Sequence, residues 1–125
     1  MVRLTFTACL LSLCALTTVA ADPPKPEQFL GRWSGAWDGK WKVQFTITQD
    51  PETKKLDALY EWEERKGQPL RSSKRPAKMD GNSLQIGVGI HITLSDTDPN
   101  KAHVKGHFLN NIKRSSDLER DKQIN

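Results

Sequence analysis

From Lys40 to Thr48 the chain alternates strictly, with Trp41, Val43, Phe45 and Ile47 apolar and the residues between them polar. Successive side chains of an extended chain point to opposite faces, so the pattern predicts a half-buried strand. Ser83 to Ser95 repeats it, placing Leu84, Ile86, Val88, Ile90, Ile92 and Leu94 inward against Gln85, Gly87, Gly89, His91 and Thr93 outward. It reads as a second strand in which Gly87 and Gly89 mark a bend or bulge. Weaker strands are legible at Leu56 to Glu63, where Leu56, Ala58, Tyr60 and Trp62 share a face, and at Ala102 to Leu109, with Val104 and Phe108. Gly31 to Trp37 forms an opening strand, and a terminal one carries Ser116, Leu118 and Arg120 on one side.

Turn signals separate these runs at Asp38-Gly39, Asp50-Pro51, Asp80-Gly81-Asn82, Asp98-Pro99-Asn100 and Asn110-Asn111. The fold class is therefore all-β, an antiparallel up-and-down meander of seven to eight strands whose only helical element is a short turn near Pro26 to Leu30. Face parity constrains the first hairpin. A two-residue turn at Asp38-Gly39 would put the opening tryptophans on the face opposite Trp41, Val43 and Phe45, so a three-residue connection or a bulge near Gly39 must pair Trp37 with Trp41.

The 125 residues suffice for one small domain after an export signal. Arg3 supplies the positive charge, Leu4 to Val19 an uncharged apolar stretch, and Thr18-Val19-Ala20-Ala21 a small-residue end, so cleavage is expected after Ala20 or Ala21. The apolar part is shorter than a bilayer span and is interrupted by Thr5, Thr7, Ser12 and Thr17, which argues against a retained anchor and leaves the mature chain without a transmembrane segment. Residues 1-21 thus read as signal peptide, 22-28 as a proline-rich spacer, 29-122 as the β-barrel domain and 123-125 as a C-terminal tail, in a secreted or periplasmic protein. Both cysteines, Cys9 and Cys14, lie in the signal, so the mature chain has no disulfide or thiolate chemistry. Without disulfides, an exported domain of this size depends on its core, which favours a closed sheet burying one face of every strand.

Gly31-x-Trp33 on a first strand, the meander after it and the basic Arg120 on the last strand resemble the calycin superfamily of lipocalins, fatty-acid-binding proteins and avidins. The chain is also similar to small exported bacterial proteins of uncharacterised function that open with Gly-x-Trp-x-Gly-x-Trp. The resemblance implies a small calycin-like barrel in which Trp33 packs inside the closed end and Arg120 stacks on it, a structural Trp-Arg pair. Avidins use further tryptophans on later strands, whereas all four here lie at or before Trp62, which argues against biotin.

Trp37, Trp41, Tyr60 and Trp62 fall near strand ends, where aromatic rings at a barrel mouth would bind a small hydrophobic or sugar-like ligand. The competing reading is that they plug a barrel narrow enough for side chains to fill. Arg65 to Lys78 carries six basic residues (Arg65, Lys66, Arg71, Lys74, Arg75 and Lys78) and no acidic one, a basic surface loop that would attract an anionic envelope component or an acidic protein. Without the signal, the net charge is only 18 minus 15, or +3, and an exported protein is a poor candidate for nucleic acid.

Of the three histidines, His103 and His107 share a strand face but lie about 13 Å apart along it, too far for one ion. Pairing Leu94 with Val104 would set His91 opposite His107, yet no carboxylate completes a metal site, and no cofactor is implied. Glu61 and Glu63 alternate on what reads as an exposed strand face, and no nucleophile triad or phosphate-binding loop appears, so no catalytic residue is assigned. The expected function is that of a non-enzymatic binding protein using the barrel mouth. The alternative is an inhibitor-like interaction module that uses the basic stretch, with a filled barrel.

Overall fold

A computed structural model of the chain describes residues 23–122. The expected signal peptide, its cleavage point, both cysteines and the last three residues lie outside the described residues. Eight antiparallel strands, each paired with its sequence neighbour, close into a barrel when β1 meets β8. They are β1 (Gly31–Trp37), β2 (Trp41–Gln49), β3 (Leu56–Trp62), β4 (Arg71–Asp80), β5 (Ser83–Ile86), β6 (Ile90–Leu94), β7 (Lys101–Phe108) and β8 (Ile112–Arg120). A 3₁₀ turn, Pro26–Phe29, leads into β1, and Leu109–Asn111 forms another between β7 and β8.

The alternation translates directly into the core. Trp33, Val43, Phe45, Leu84, Ile86, Ile90, Ile92 and Val104 are fully buried inside the barrel, together with Phe29 from the preceding turn. An eight-stranded barrel is narrow enough for such side chains to fill, and they fill all but one end. At the filled end Trp33 Nε1–H donates to the Phe29 carbonyl at 2.8 Å, so the spacer's last turn becomes a plug.

Trp37 pairs with Trp41 across the three-residue connection Asp38-Gly39-Lys40, as face parity demands. The run Ser83 to Ser95 is not one strand but a hairpin. Ile86 pairs with Ile90, and Val88, expected inward, stands at the tip of a three-residue turn. Positive φ values of 55° at Gly87 and 93° at Gly89 make the reversal, and an odd loop returns the chain on the same face, so the alternation runs through unbroken. The basic stretch is not one surface loop. Only Arg65 and Lys66 lie in the connection, whereas Arg71, Lys74, Arg75 and Lys78 belong to β4.

β5 is short and covers β4 only from Ala77 to Asp80. From Arg71 to Arg75, β4 pairs with β3 alone, and Gly87 N–H donating to the Pro76 carbonyl at 2.8 Å ends the second ladder.

Closure depends on two glycines. β1 meets β8 through Trp33–Arg120, Ser34–Glu119 and Gly35–Leu118, and a Cβ on Gly35 would come within 2.3 Å of the Asp117 carbonyl. Beyond Gly35 the buried Ser116 hydroxyl takes the ladder's place, accepting from Ala36 N–H at 3.0 Å and donating to the Asp117 carbonyl at 2.7 Å. Gly31, at φ 115°, lies under Arg120, whose Nη1 a Cβ would approach to 3.2 Å. The Arg120 guanidinium stacks 4.3 Å above the Trp33 ring. It also donates to the carbonyls of Leu30, of Gln28 at 2.7 Å and of Pro99 at 3.2 Å.

Charge-assisted hydrogen bonds and a partly desolvated cation–π contact are each worth about 1–3 kcal/mol. Arg120→Ala is therefore expected to cost about 3 kcal/mol and to lower the melting temperature by roughly 10 °C or more. Thermal unfolding followed by circular dichroism checks this; an unchanged midpoint would refute the role given to Arg120.

Candidate functional site

The connections β1–β2, β3–β4, β5–β6 and β7–β8 all fall at the end opposite the Trp33 plug, and there the interior opens. Trp37, Trp41, Tyr60 and Trp62 come together at this mouth and wall a cavity of about 390 Å³, with Phe108, Ile112, Arg114, Glu63 and Glu64 completing it. The four aromatic side chains do not share one role. Trp37 and Tyr60 are buried, whereas Trp41 and Trp62 are half-buried and border the opening.

Phe45 on β2 lies directly across from Tyr60 on β3, Trp62 is the next inward residue of β3, and the three rings stack into a column, with ring centroids 5.1 Å apart for the first pair and 4.6 Å for the second. Trp37 meets this column edge-on, 6.2 Å from Phe45 and 6.5 Å from Tyr60, and its Nε1–H donates to the Tyr60 hydroxyl at 2.9 Å. Burial holds the Tyr60 phenol above its ordinary pKa, so it stays neutral and available as an acceptor. Arg75 projects inward from β4 and lies 5.3 Å from the Tyr60 ring, which removes it from the basic outer surface. The floor of the mouth is thus rigid and aromatic.

The rim carries the charge. Arg114 stacks 4.3 Å over Trp41 and is held by Asp38 at 3.0 Å, while the other Asp38 carboxylate oxygen accepts from Ser115 N–H at 3.1 Å. Glu64 pairs with Arg71 at 2.7 Å. Glu63 follows the last residue of β3 and folds back, contrary to its reading as an exposed strand carboxylate. It is 8% exposed and accepts from the Lys42 and Gly67 amides at 2.7 and 2.8 Å. Those two backbone bonds hold its pKa below the ordinary glutamate value.

Arg114 and Ile112 are mouth residues that the sequence reading missed. Carrying the parity of Ser116, Leu118 and Arg120 two and four residues back along β8 would have put both on the inward face. Glu63 carried no such signal, because its position depends on where the connection leaves the strand.

The histidines sit elsewhere. All three line a larger outer concavity of about 510 Å³ on β6, β7 and β8. Leu94 pairs with Ala102 rather than Val104, so His91 faces Lys105, not His107. Each ring has its own neighbour, Asp80 at 3.5 Å for His91, Asp117 at 3.0 Å for His103 and Asn111 at 2.9 Å for His107. No group of three His, Cys, Asp or Glu positioned for a metal occurs among the described residues.

A scan against protein-family models finds no match to this chain, and searches of curated proteins and of solved structures find none either.

Glu63 and, at the far end, Asp50 titrate below their ordinary values in the folded chain, Asp50 because it accepts from the Thr53 and Glu52 amides. The stability they contribute is fully present above the unfolded carboxylate range and is lost as pH falls through their lowered values, so acid below about pH 4 loosens the fold. Glu63→Gln is expected to lower the midpoint at pH 7 and to flatten its fall in acid. A variant whose midpoint tracks the parent at every pH would count against the Glu63 anchor.

Proposed function

We propose that the protein is an exported, calycin-like, non-enzymatic binding barrel that receives a small planar hydrophobic or sugar-like ligand at its mouth. The observation that carries this reading is the Phe45–Tyr60–Trp62 column, which rises from the filled core and ends in a half-buried indole bordering a cavity of about 390 Å³. A ligand ring laid on Trp62 or beside Trp41 would extend the stack with little reorganisation, since the buried rings below are already fixed. The cavity lies within the range of small-molecule sites, at its lower end, so the ligand is expected to be one or two rings in size.

Both mouth carboxylates are engaged, Glu63 by two backbone amides and Glu64 by Arg71, which leaves neither as a free acid or base. The alternative, an outer-surface module acting through Arg65 to Lys78, has less support. Arg71 is paired and Arg75 turns toward Tyr60, so the basic stretch presents fewer free cations than its composition suggests.

Titration with a panel of lipids, sugars and hydrophobic dyes, followed by tryptophan fluorescence, tests the mouth. A binding partner is expected to shift or quench the emission, and Trp62→Ala is expected to weaken it by about tenfold or more, the value of one good aromatic contact. Silence across the whole panel would defeat the proposal.

A further inference from the structure

Four large apolar side chains are exposed among the described residues, and three of them, Val88, Leu109 and Ile112, gather at the mouth end. Val88 is 87% exposed at the tip of the β5–β6 hairpin and Leu109 is 88% exposed at the tip of the β7–β8 hairpin. These hairpins are neighbours, because His107 N–H donates to the Gly89 carbonyl at 2.8 Å and so sets Val88 beside the end of β7. Neither tip residue packs against the core, so both side chains stand free at neighbouring hairpin tips.

Cations share this end of the barrel. Lys40, Arg65, Lys66 and Lys113 are all exposed at the same end and have no ion-pair partner among the described residues. The acids there are engaged internally, Asp38 with Arg114, Glu63 with backbone and Glu64 with Arg71. The mouth end therefore presents these cations to solvent while its own acids are already engaged.

We infer that the mouth end docks on the surface of an anionic lipid bilayer, with Val88 and Leu109 entering the headgroup region and the free cations of the rim lying on lipid phosphates. Separate apolar tips set among cations suit a soft interface that closes around each of them, whereas a protein partner would need a matching pocket for each tip. The contact is end-on and shallow. Outward positions on the wall, among them Lys42, Thr46, Lys74, His103 and Lys105, are mostly polar and Leu59 stands as a single apolar exception, so the wall has no apolar band that could enter hydrocarbon. Docking stands apart from the mouth ligand, since an empty mouth presents the same rim.

Flotation with vesicles tests this, using the chain from Asp22 onward, which retains the whole closed barrel and its core. Binding is expected to vesicles of phosphatidylcholine with about one-third phosphatidylglycerol, to be lost on pure phosphatidylcholine, and to fall at least about tenfold in roughly 0.5 M salt. Val88→Asp with Leu109→Asp, both at exposed tips, is expected to reduce it about tenfold with the melting temperature unchanged, and Lys40→Glu with Lys113→Glu to do the same. Failure to float with anionic vesicles would overturn the inference. So would undiminished flotation of a folded tip variant, or binding to an acidic polypeptide but not to vesicles.

Discussion

Everything at the closed end of this barrel converges on the guanidinium of Arg120. One face of the group covers the Trp33 ring, and its edge gathers carbonyls from the N-terminal turn and from the β6–β7 connection. Two segments far apart in sequence, residues 28–33 and the β6–β7 connection, are thereby tied to the last residue of the last strand. Barrel closure is otherwise thin, because β1 and β8 share only three directly paired positions before Ser116 must replace the ladder with its hydroxyl. A lysine would not substitute, since a point charge cannot stack flat on an indole while donating along several directions. The same constraint reaches back into the opening motif, in which Gly31 must stay bare beneath the guanidinium and Gly35 beneath the β8 backbone.

With that end sealed, the opposite end is left to carry interactions. The column from Phe45 to Trp62 joins the two, since its lower ring belongs to the core and its upper ring to the mouth. Packing that holds the fold together thus also fixes the geometry of the proposed site. The charges divide in the same way. Carboxylates near the mouth are consumed in holding the rim in shape, while several of its cations remain free to act outward.

Much of this was legible from alternation alone, and the reason is also why some of it was not. Inward positions on β2, β3 and β7 follow from period-two patterning, and the pairing of Trp37 with Trp41 follows from parity. Parity is blind, however, to a three-residue turn, which returns the chain on the face it left. The hairpin at Gly87 to Gly89 therefore hid inside an unbroken pattern and concealed Val88 as a tip. Basic composition was similarly blind to the start of β4, where alternating Lys74 and Arg75 look alike in sequence but face opposite ways. The four aromatic residues expected at the mouth meet there because strand ends in a meander must. Arg114 and Glu63 needed tertiary detail, one from a strand extended beyond its obvious pattern and the other from a loop.

The short β5 has a consequence of a different kind. It leaves one margin of β4 without a partner strand between Arg71 and Arg75, an interruption in a wall that would otherwise have no free margin. Such a margin is an invitation for a strand from another molecule to add on, the first step toward ordered aggregates. The local residues withhold that invitation. Pro76 has no amide hydrogen to offer where the second ladder stops, and Lys74 sets a charge beside the open backbone. The one margin that the short β5 leaves open is thus the margin least fitted to accept a foreign strand.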